Sequence, residues 1–179
     1  TEALQIQEKI LGKEHPDYAT SLNYLTNYNS SLGNYAEAIR LGTEALQIQE
    51  KILGKEHPDY AQSLNNVAFY NSSLGNYAEA IRLGTEALLI QEKILGKEHP
   101  DYAQSLSNLA RYNSFIGNYA EAIRLGTEAL WIQKKTLGMA HPDYAISLNN
   151  LALYYFSLGD YSEAIRLGTE ALQIQGKAL

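Results

Sequence analysis

The chain has 179 residues, of which 45% are hydrophobic and 19% are charged, and its formal net charge is −6. This balance excludes a disordered chain, and the acidic charge argues against nucleic acid as a partner. The absence of cysteine excludes disulfides, thiolate metal sites and a cysteine nucleophile. No apolar run of about 20 residues and no signal peptide is visible. We therefore expect a cytoplasmic protein that makes no membrane contact.

A 42-residue repeat organises the chain from its first residue. Residues 1–11 are identical to residues 43–53, and four complete units follow. The units span residues 12–53, 54–95, 96–137 and 138–179. Because each unit of such an array buries its apolar face against its neighbours, we expect one repeat array over residues 1–179. The sequence begins in mid-unit with Thr1, so we also expect it to be a piece of a longer protein.

The first half of each unit has the pattern of a helix, over about residues 17–32 in the first complete unit. Its apolar stripe steps by three and four residues. The stripe consists of Tyr18, Leu22, Leu25, Asn29 and Leu32. Pro16 and Asp17 suit the first turn of a helix, and Gly33 suits its end.

A second helix is predicted over about residues 35–53, and Gly54 should end it. Its apolar stripe covers nearly half of the helix surface, which requires packing on two sides. The stripe consists of Tyr35, Ala38, Ile39, Leu41, Gly42, Ala45, Leu46, Ile48, Ile52 and Leu53. A glycine inside a helix costs about 1 kcal/mol relative to alanine. Because Gly42 recurs in every unit, we expect a bulky side chain, such as Tyr28 or its equivalents, to approach the backbone there.

These two helices resemble a tetratricopeptide repeat (TPR). The runs Leu22-Asn-Tyr-Leu-Thr and Leu64-Asn-Asn-Val-Ala look like its first helix, and Gly33-Asn-Tyr-Ala-Glu-Ala-Ile looks like its turn and second helix. The 42-residue length is similar to the kinesin light chain type. The resemblance implies an all-α, right-handed superhelical solenoid of nine helices in antiparallel pairs. It also implies binding of extended protein segments on a concave face that the first helices line.

Two positions depart from the pattern of that family. Gly42 stands where the family has a bulky residue in the middle of the second helix. The usual tyrosine near the end of the first helix is replaced by asparagine in three units and returns as Tyr155 in the fourth. Both departures should change the local packing.

The units differ most on the side of the first helix opposite the Leu22 stripe. Position 27 carries four different residues: Asn27, Phe69, Arg111 and Leu153. Amide side chains there could bond the backbone of an extended segment, and exposed apolar ones could select its side chains. The candidate binding residues are Thr20, Asn23, Asn27, Gln62, Asn65, Phe69, Gln104, Ser107, Arg111, Ile146, Asn149, Leu153 and Phe156. The alternative is that exposed positions simply drift.

Arg111 is the only basic residue in the first helices. This disfavours a clamp for a peptide carboxylate and favours a neutral to mildly apolar protein or peptide segment as the partner. A second variable row lies on the outer side of the second helices. There Leu89 and Trp131 are a candidate convex contact, unless neighbouring side chains partly cover Trp131.

No pattern for catalysis is present. The four histidines, one per unit, are expected to be solvated turn residues before the first helices. No phosphate loop, metal motif or serine nucleophile motif is found. We therefore predict a binding module without enzymatic activity, metal or cofactor, acting as an adaptor or sensor of a larger protein. The alternative is a structural spacer or a self-assembling array that associates head to tail through its ends.

Overall fold

The computed structural model describes residues 2–176 of the chain, and within that range the chain forms nine α-helices and no strand. The helices are α1 (Glu2–Leu11), α2 (Pro16–Ser31), α3 (Tyr35–Leu53), α4 (Pro58–Ser73), α5 (Tyr77–Leu95), α6 (Pro100–Phe115), α7 (Tyr119–Thr136), α8 (Pro142–Leu158) and α9 (Tyr161–Gln175). The first helix of each unit begins one residue before the predicted position, at its proline. Residues 1 and 177–179 of the predicted array lie outside the described residues.

The chain divides into two compact units, Thr1–Ile90 (unit 1) and Gln91–Leu179 (unit 2). The division falls inside α5. In unit 1, α3 packs against α2 and α4; in unit 2, α7 packs against α6 and α8. Turns of only a few residues join these helices, so that sequential neighbours run antiparallel. A single array over the whole chain stays a prediction.

A histidine cap starts each first helix. His15 Nδ1 accepts a hydrogen bond of 3.2 Å from the backbone N–H of Asp17, and the histidines of the other three units do the same. The cap satisfies one of the N–H groups that the first turn leaves unpaired. These histidines were expected to be solvated turn residues. They are only half-exposed, and each caps the helix that follows it, a role that the position before proline did not indicate.

An asparagine pair ends the first helix in three units. Asn29 Nδ2 donates to the Leu25 carbonyl at 2.9 Å, and Asn29 Oδ1 accepts from Asn34 Nδ2 at 3.5 Å. Gly33, at φ +77°, lets the chain reverse between them. In the fourth unit, Tyr155 and Asp160 replace the two asparagines. There Oδ1 of Asp160 accepts a hydrogen bond of 3.2 Å from the backbone N–H of Glu163. The departure from the family's tyrosine thus serves to lock the turn.

First helices of neighbouring repeats contact each other directly. In unit 1, the hydroxyl of Tyr70 donates to Oδ1 of Asn27 at 2.9 Å, and in unit 2, α6 touches α8. A stripe of small side chains on α4 is buried, which allows this close approach. The stripe consists of Ala61, Asn65, Ala68 and Ser72. Sequence analysis missed it because alanine, serine and asparagine give little hydrophobic periodicity.

The predicted apolar stripes need two corrections. Leu32 is 76% exposed, because it follows the last helical residue of α2 and caps the helix end. Leu53 is also exposed at the last residue of α3. Apolar residues at helix ends therefore contribute less to the core than the periodic pattern indicates. The buried Gln49 takes part in the core instead.

Two of the glycines inside the second helices, Gly42 and Gly126, lie where the next repeat comes close, whereas at Gly168 no neighbouring side chain among the described residues approaches and the expectation is wrong. A Cβ atom on Gly42 would stand 2.8 Å from Cγ2 of Val67. On Gly126 it would stand 3.3 Å from Leu151 and 3.6 Å from the ring of Tyr154. The predicted close approach is confirmed at both positions. A tyrosine contributes at Gly126, but at Gly42 the neighbour is a valine.

Candidate functional site

The thirteen candidate residues on the first helices, which we name the variable face, are mostly accessible. Eight of them are exposed: Thr20, Asn27, Gln62, Phe69, Gln104, Ile146, Leu153 and Phe156. Four are half-buried: Asn23, Ser107, Arg111 and Asn149. Asn65 is only 9% exposed, so the expectation that its amide is available to a partner is wrong. It belongs to the small-residue stripe by which first helices approach each other.

In unit 1, the variable face is held by contacts between and within helices. The Asn27 amide oxygen accepts a hydrogen bond from Tyr70, so that the N–H₂ group is the part of this amide left to donate to a partner. The Phe69 ring stands edge-on to that of Tyr70, with 5.8 Å between centroids. The Gln62 amide donates to Asn66 at 3.2 Å. These contacts restrict the side chains that a partner would meet.

In unit 2, a cation and two buried phenols lie beside one another. The guanidinium carbon of Arg111 is 5.8 Å from the ring centroid of Tyr112. Burial raises the pKa of both Tyr112 and Tyr154, and the nearby positive charge of Arg111 opposes this in both cases. Both hydroxyls therefore stay protonated and neutral at physiological pH. Arg111 is the one cation on the variable face.

An apolar groove opens at the end of the variable face between α8 and α9. It has a volume of about 540 Å³. The residues that line it are Asn149, Ala152, Leu153, Phe156, Tyr161, Ala164 and Ile165. The Phe156 and Tyr161 rings meet edge to face, with centroids 5.4 Å apart. The groove thus combines one amide with an aromatic and aliphatic lining, which suits an apolar side chain next to a peptide bond.

Sequence analysis singled out three of the groove residues but missed those contributed by α9. Tyr161 and Ile165 are alike in every unit at the equivalent positions, so they gave no signal of variation. The signal that was available is Phe156, which replaces a serine present in the other three units.

The outer side of the second helices also exposes apolar side chains. Leu89 is exposed in unit 1, and Trp131 is 53% exposed in unit 2. Nζ of Lys135 lies 4.3 Å from the centroid of the Trp131 ring. The neighbouring lysine therefore covers one face of the indole, and the other side of the ring remains accessible.

No group of three histidine, aspartate or glutamate side chains among the described residues is arranged to hold a metal ion. In the same part of the chain, no helix combines the length and apolar character that crossing a membrane requires.

The sequence model of the tetratricopeptide repeat family matches residues 1–51, 27–88, 59–135 and 117–177, which together span nearly the whole chain. The chain belongs to the tetratricopeptide repeat family. This confirms the resemblance on which the predicted fold rests. TPR repeats form a scaffold that generally mediates protein interactions and is generally not catalytic. A comparison of this TPR chain with curated protein sequences gives no match.

Solved structures confirm the fold class. A Podosopora anserina protein with nearly identical TPR-like repeats, assigned as a kinesin light chain, is 33% identical and has a TM-score of 0.85. The match covers 99% of this TPR chain and 84% of that one. BtubC (BKLC) from P. vanneervenii has a TM-score of 0.88 at 23% identity, over 99% of this chain and 70% of its own. MamA shares the fold alone: it is 18% identical and has a TM-score of 0.72, and the match covers 98% of this chain and 88% of MamA.

Proposed function

We propose that this TPR chain binds an extended, neutral to mildly apolar protein segment on the concave face lined by its first helices. In this proposal it acts as an adaptor or sensor module of a larger protein. The groove formed by Leu153, Phe156 and Tyr161 is the observation that carries the proposal, because accessible aromatic and aliphatic side chains beside an amide suit a peptide. A cytoplasmic location stays a prediction, supported by the absence of cysteine.

The chemistry of the variable face indicates how the segment would be recognised. Amides such as Asn27 and Gln62 offer donors and acceptors to an extended backbone, and the α8–α9 groove accepts one apolar side chain. Contacts such as that between Asn27 and Tyr70 fix these groups before binding. Less conformational entropy is then lost when the partner docks.

Two substitutions borrowed from sister units test this proposal. Leu153→Asn and Phe156→Ser introduce the residues that stand at the equivalent positions of the first complete unit, Asn27 and Ser30. Both side chains are exposed, so the fold should persist. Selection from a random 12-residue peptide display library against the wild type should yield peptides with an apolar side chain. Their affinity should fall about tenfold in each variant, since about 1.4 kcal/mol of apolar contact is lost.

The control for that experiment is Gln173→Ala, an exposed position on the outer side of α9, which should leave binding unchanged. Circular dichroism and urea denaturation verify that all variants are folded. Equal binding of the selected peptides by wild type and both groove variants would contradict recognition on the concave face.

A second candidate function is head-to-tail self-association. Ile165 and Leu172 on α9 are exposed, whereas the equivalent Ile39 and Leu46 on α3 lie against Tyr60 and its neighbours on α4. In the same way, Tyr28 is 63% exposed and its equivalent Tyr70 only 4%. A second copy would cover both faces by a contact of the type already present between repeats if its α2 exchanged α1 for this α9, because Leu4 of α1 packs on α2 at the place equivalent to that of Leu172.

Light scattering across a hundredfold concentration range separates the two candidates. Self-association predicts a molar mass that rises with concentration and returns to that of a monomer in Leu172→Lys. Leu172 does not line the α8–α9 groove, so this substitution should leave peptide binding intact. A constant monomer mass of the wild type would exclude self-association for this chain.

A further inference from the structure

Residues 131–140 contain the end of one second helix and the turn toward the next first helix. The sequence of this junction differs from the equivalent junctions more than they differ from one another. The equivalent segments 47–56 and 89–98 differ from each other at one position only. Segment 131–140 differs from both at five positions. They are Trp131, Lys134, Thr136, Met139 and Ala140. The segment carries two lysines and no acidic residue, in a chain whose net charge is −6.

Two of these changes remove both members of one ion pair. Lys55 lies 3.4 Å from Glu50, and Lys97 lies 3.2 Å from Glu92. The corresponding pair at the junction that follows the partial unit, Lys13 and Glu8, is 3.6 Å apart. At the fourth junction, Lys134 replaces the glutamate and the exposed Met139 replaces the lysine. Within residues 4–176, Lys134 has no ion-pair partner.

Three of the changed residues, Trp131, Lys134 and Met139, lie next to one another. In unit 1, their equivalents Gln47, Glu50 and Lys55 line one depression. Gln47, Glu50 and Lys51 also line a second depression, of about 640 Å³, whose other polar residues are Lys13, Glu14 and Glu44. By the 42-residue repeat, Trp131, Lys134 and Lys135 occupy the same places relative to Lys97 and Glu98. The distance of 2.7 Å between Lys135 and Glu98 shows that the equivalence holds, because Lys51 and Glu14 form the same pair in unit 1.

We propose that Trp131, Lys134 and Met139 form a docking surface, which we name the junction patch, for a protein segment that carries carboxylates beside an apolar side chain. This site lies on the outer side of α7 and in the loop that follows it, and it goes beyond the function proposed for the first helices. Glu98 already neutralises Lys135, so the uncompensated charge of the patch is that of Lys134. An acidic partner supplies the missing counter-charge.

The composition of the junction patch is that of a binding site. Tryptophan contributes a large apolar area at protein interfaces, and methionine adapts its shape to different partners. The Lys135 ammonium lies over one face of the indole, 4.3 Å from its centroid, and favours this orientation of the ring. Replacement of both members of the Glu–Lys pair exposes a cation and an apolar side chain together, whereas loss of one member would leave only an unpaired charge.

Substitutions from the sister junctions test the junction patch. The double variant K134E/M139K recreates the pair found at Glu50 and Lys55, and W131Q introduces the residue found at Gln47; both should fold like the wild type. A random 12-residue peptide display library is selected against the wild type and then counter-selected against K134E/M139K. Peptides that bind only the wild type should be enriched in aspartate and glutamate next to an apolar residue.

Trp131 is the only tryptophan of the chain, so its fluorescence reports directly on the patch. A selected peptide should shift the emission of the wild type. Isothermal titration calorimetry, which does not need the tryptophan, should show about tenfold weaker binding to K134E/M139K and to W131Q. Leu153→Asn is the control and should bind normally, which separates failure of this proposal from failure of the concave site. Three results would overturn the proposal. They are selected peptides that are not enriched in aspartate or glutamate, an unchanged affinity of the peptides for K134E/M139K, or a Trp131 emission shift that phosphatidylserine vesicles cause and none of the peptides causes.

Discussion

The hydroxyl of Tyr70 donates a hydrogen bond of 2.9 Å to the side-chain oxygen of Asn27, across 43 residues of sequence. The bond joins the first helices of two neighbouring repeats at the edge of the variable face. It therefore couples the packing of repeats to the position of a residue that we propose to contact the partner. Burial also raises the pKa of Tyr70, which keeps the donor protonated.

Tyr70→Phe should lower the free energy of unfolding by about 1 kcal/mol, because the bond is lost between partly buried groups. Asn27→Ala should have a similar effect, and the double variant should lose less than the sum of the two. Urea denaturation of the four proteins measures the coupling. Tyr24→Phe is the control, because the Tyr24 side chain is exposed and should change stability by less than about 0.5 kcal/mol. Strict additivity of the two single effects would argue against the bond.

Gly42→Ala and Gly168→Ala should change stability in opposite directions. A methyl group on Gly42 would overlap Val67, and such overpacking typically costs about 1–3 kcal/mol. Near Gly168, apart from the adjacent residues and the backbone of α9 itself, no atom of the described residues lies within 4 Å of the added group. Alanine should therefore stabilise α9 there by up to about 1 kcal/mol. Thermal and urea unfolding compare the two variants. An equal gain in both would show that the glycine of α3 is not required by close packing.

The histidine caps should be replaceable by asparagine but not by alanine. His57→Ala removes the acceptor for the Asp59 N–H and should destabilise the chain by about 1 kcal/mol. His57→Asn supplies another acceptor at the same position and should recover most of that loss. Urea denaturation at pH 8 measures both variants. If His57→Ala were neutral, the observed bond would contribute nothing to stability.

Alkaline pH should destabilise the fold through its buried tyrosines. Burial is the largest cause that raises the pKa of seven tyrosines: Tyr18, Tyr60, Tyr70, Tyr102, Tyr112, Tyr144 and Tyr154. The pKa of these tyrosines is higher in the folded chain than in the unfolded chain. Their contribution to the free energy of unfolding is therefore fully present below the unfolded pKa of about 10. It is lost as the pH rises from there through the folded pKa.

Absorbance at 295 nm follows this titration directly. In the native chain, part of the tyrosinate signal should appear only at a higher pH than in the same chain in 8 M urea. The urea midpoint should fall over the same pH interval. Tyr112→Phe, which removes a fully buried phenol, should reduce the delayed part of the signal. Superimposable native and denatured titrations would contradict the prediction.

The sequence predicts the helices well because each depends on local signals that recur every 42 residues. Tyr35–Leu53 was predicted with its observed ends, since asparagine and glycine flank it on both sides of a continuous apolar stripe. Accessibility of most of the variable face was also predictable, because residues such as Asn27 lie opposite Leu22 on any α-helix. Both inferences need only the geometry of one helix.

Contacts between repeats were not predictable from the same patterns. Tyr28 and Tyr70 have equivalent positions in their units, yet the first is exposed and the second is buried. The difference depends on which helices surround each of them, and local sequence does not contain it. Asn65 was misjudged for a related reason, because its burial follows from the approach of neighbouring first helices. The binding roles of the variable face stay predictions.

The notch at Gly42 that receives Val67 has a counterpart at Gly126 that receives Leu151. At these two junctions, one repeat therefore offers the next nearly the same shape, and the next repeat carries a matching side chain. An unequal crossover that adds or removes 42 codons would keep such a fit between a glycine of this kind and the side chain of the following repeat. An insertion of any other length would move the valine or leucine of one repeat away from the glycine that it contacts. Selection for packing alone therefore favours growth or shrinkage of this gene by whole repeats.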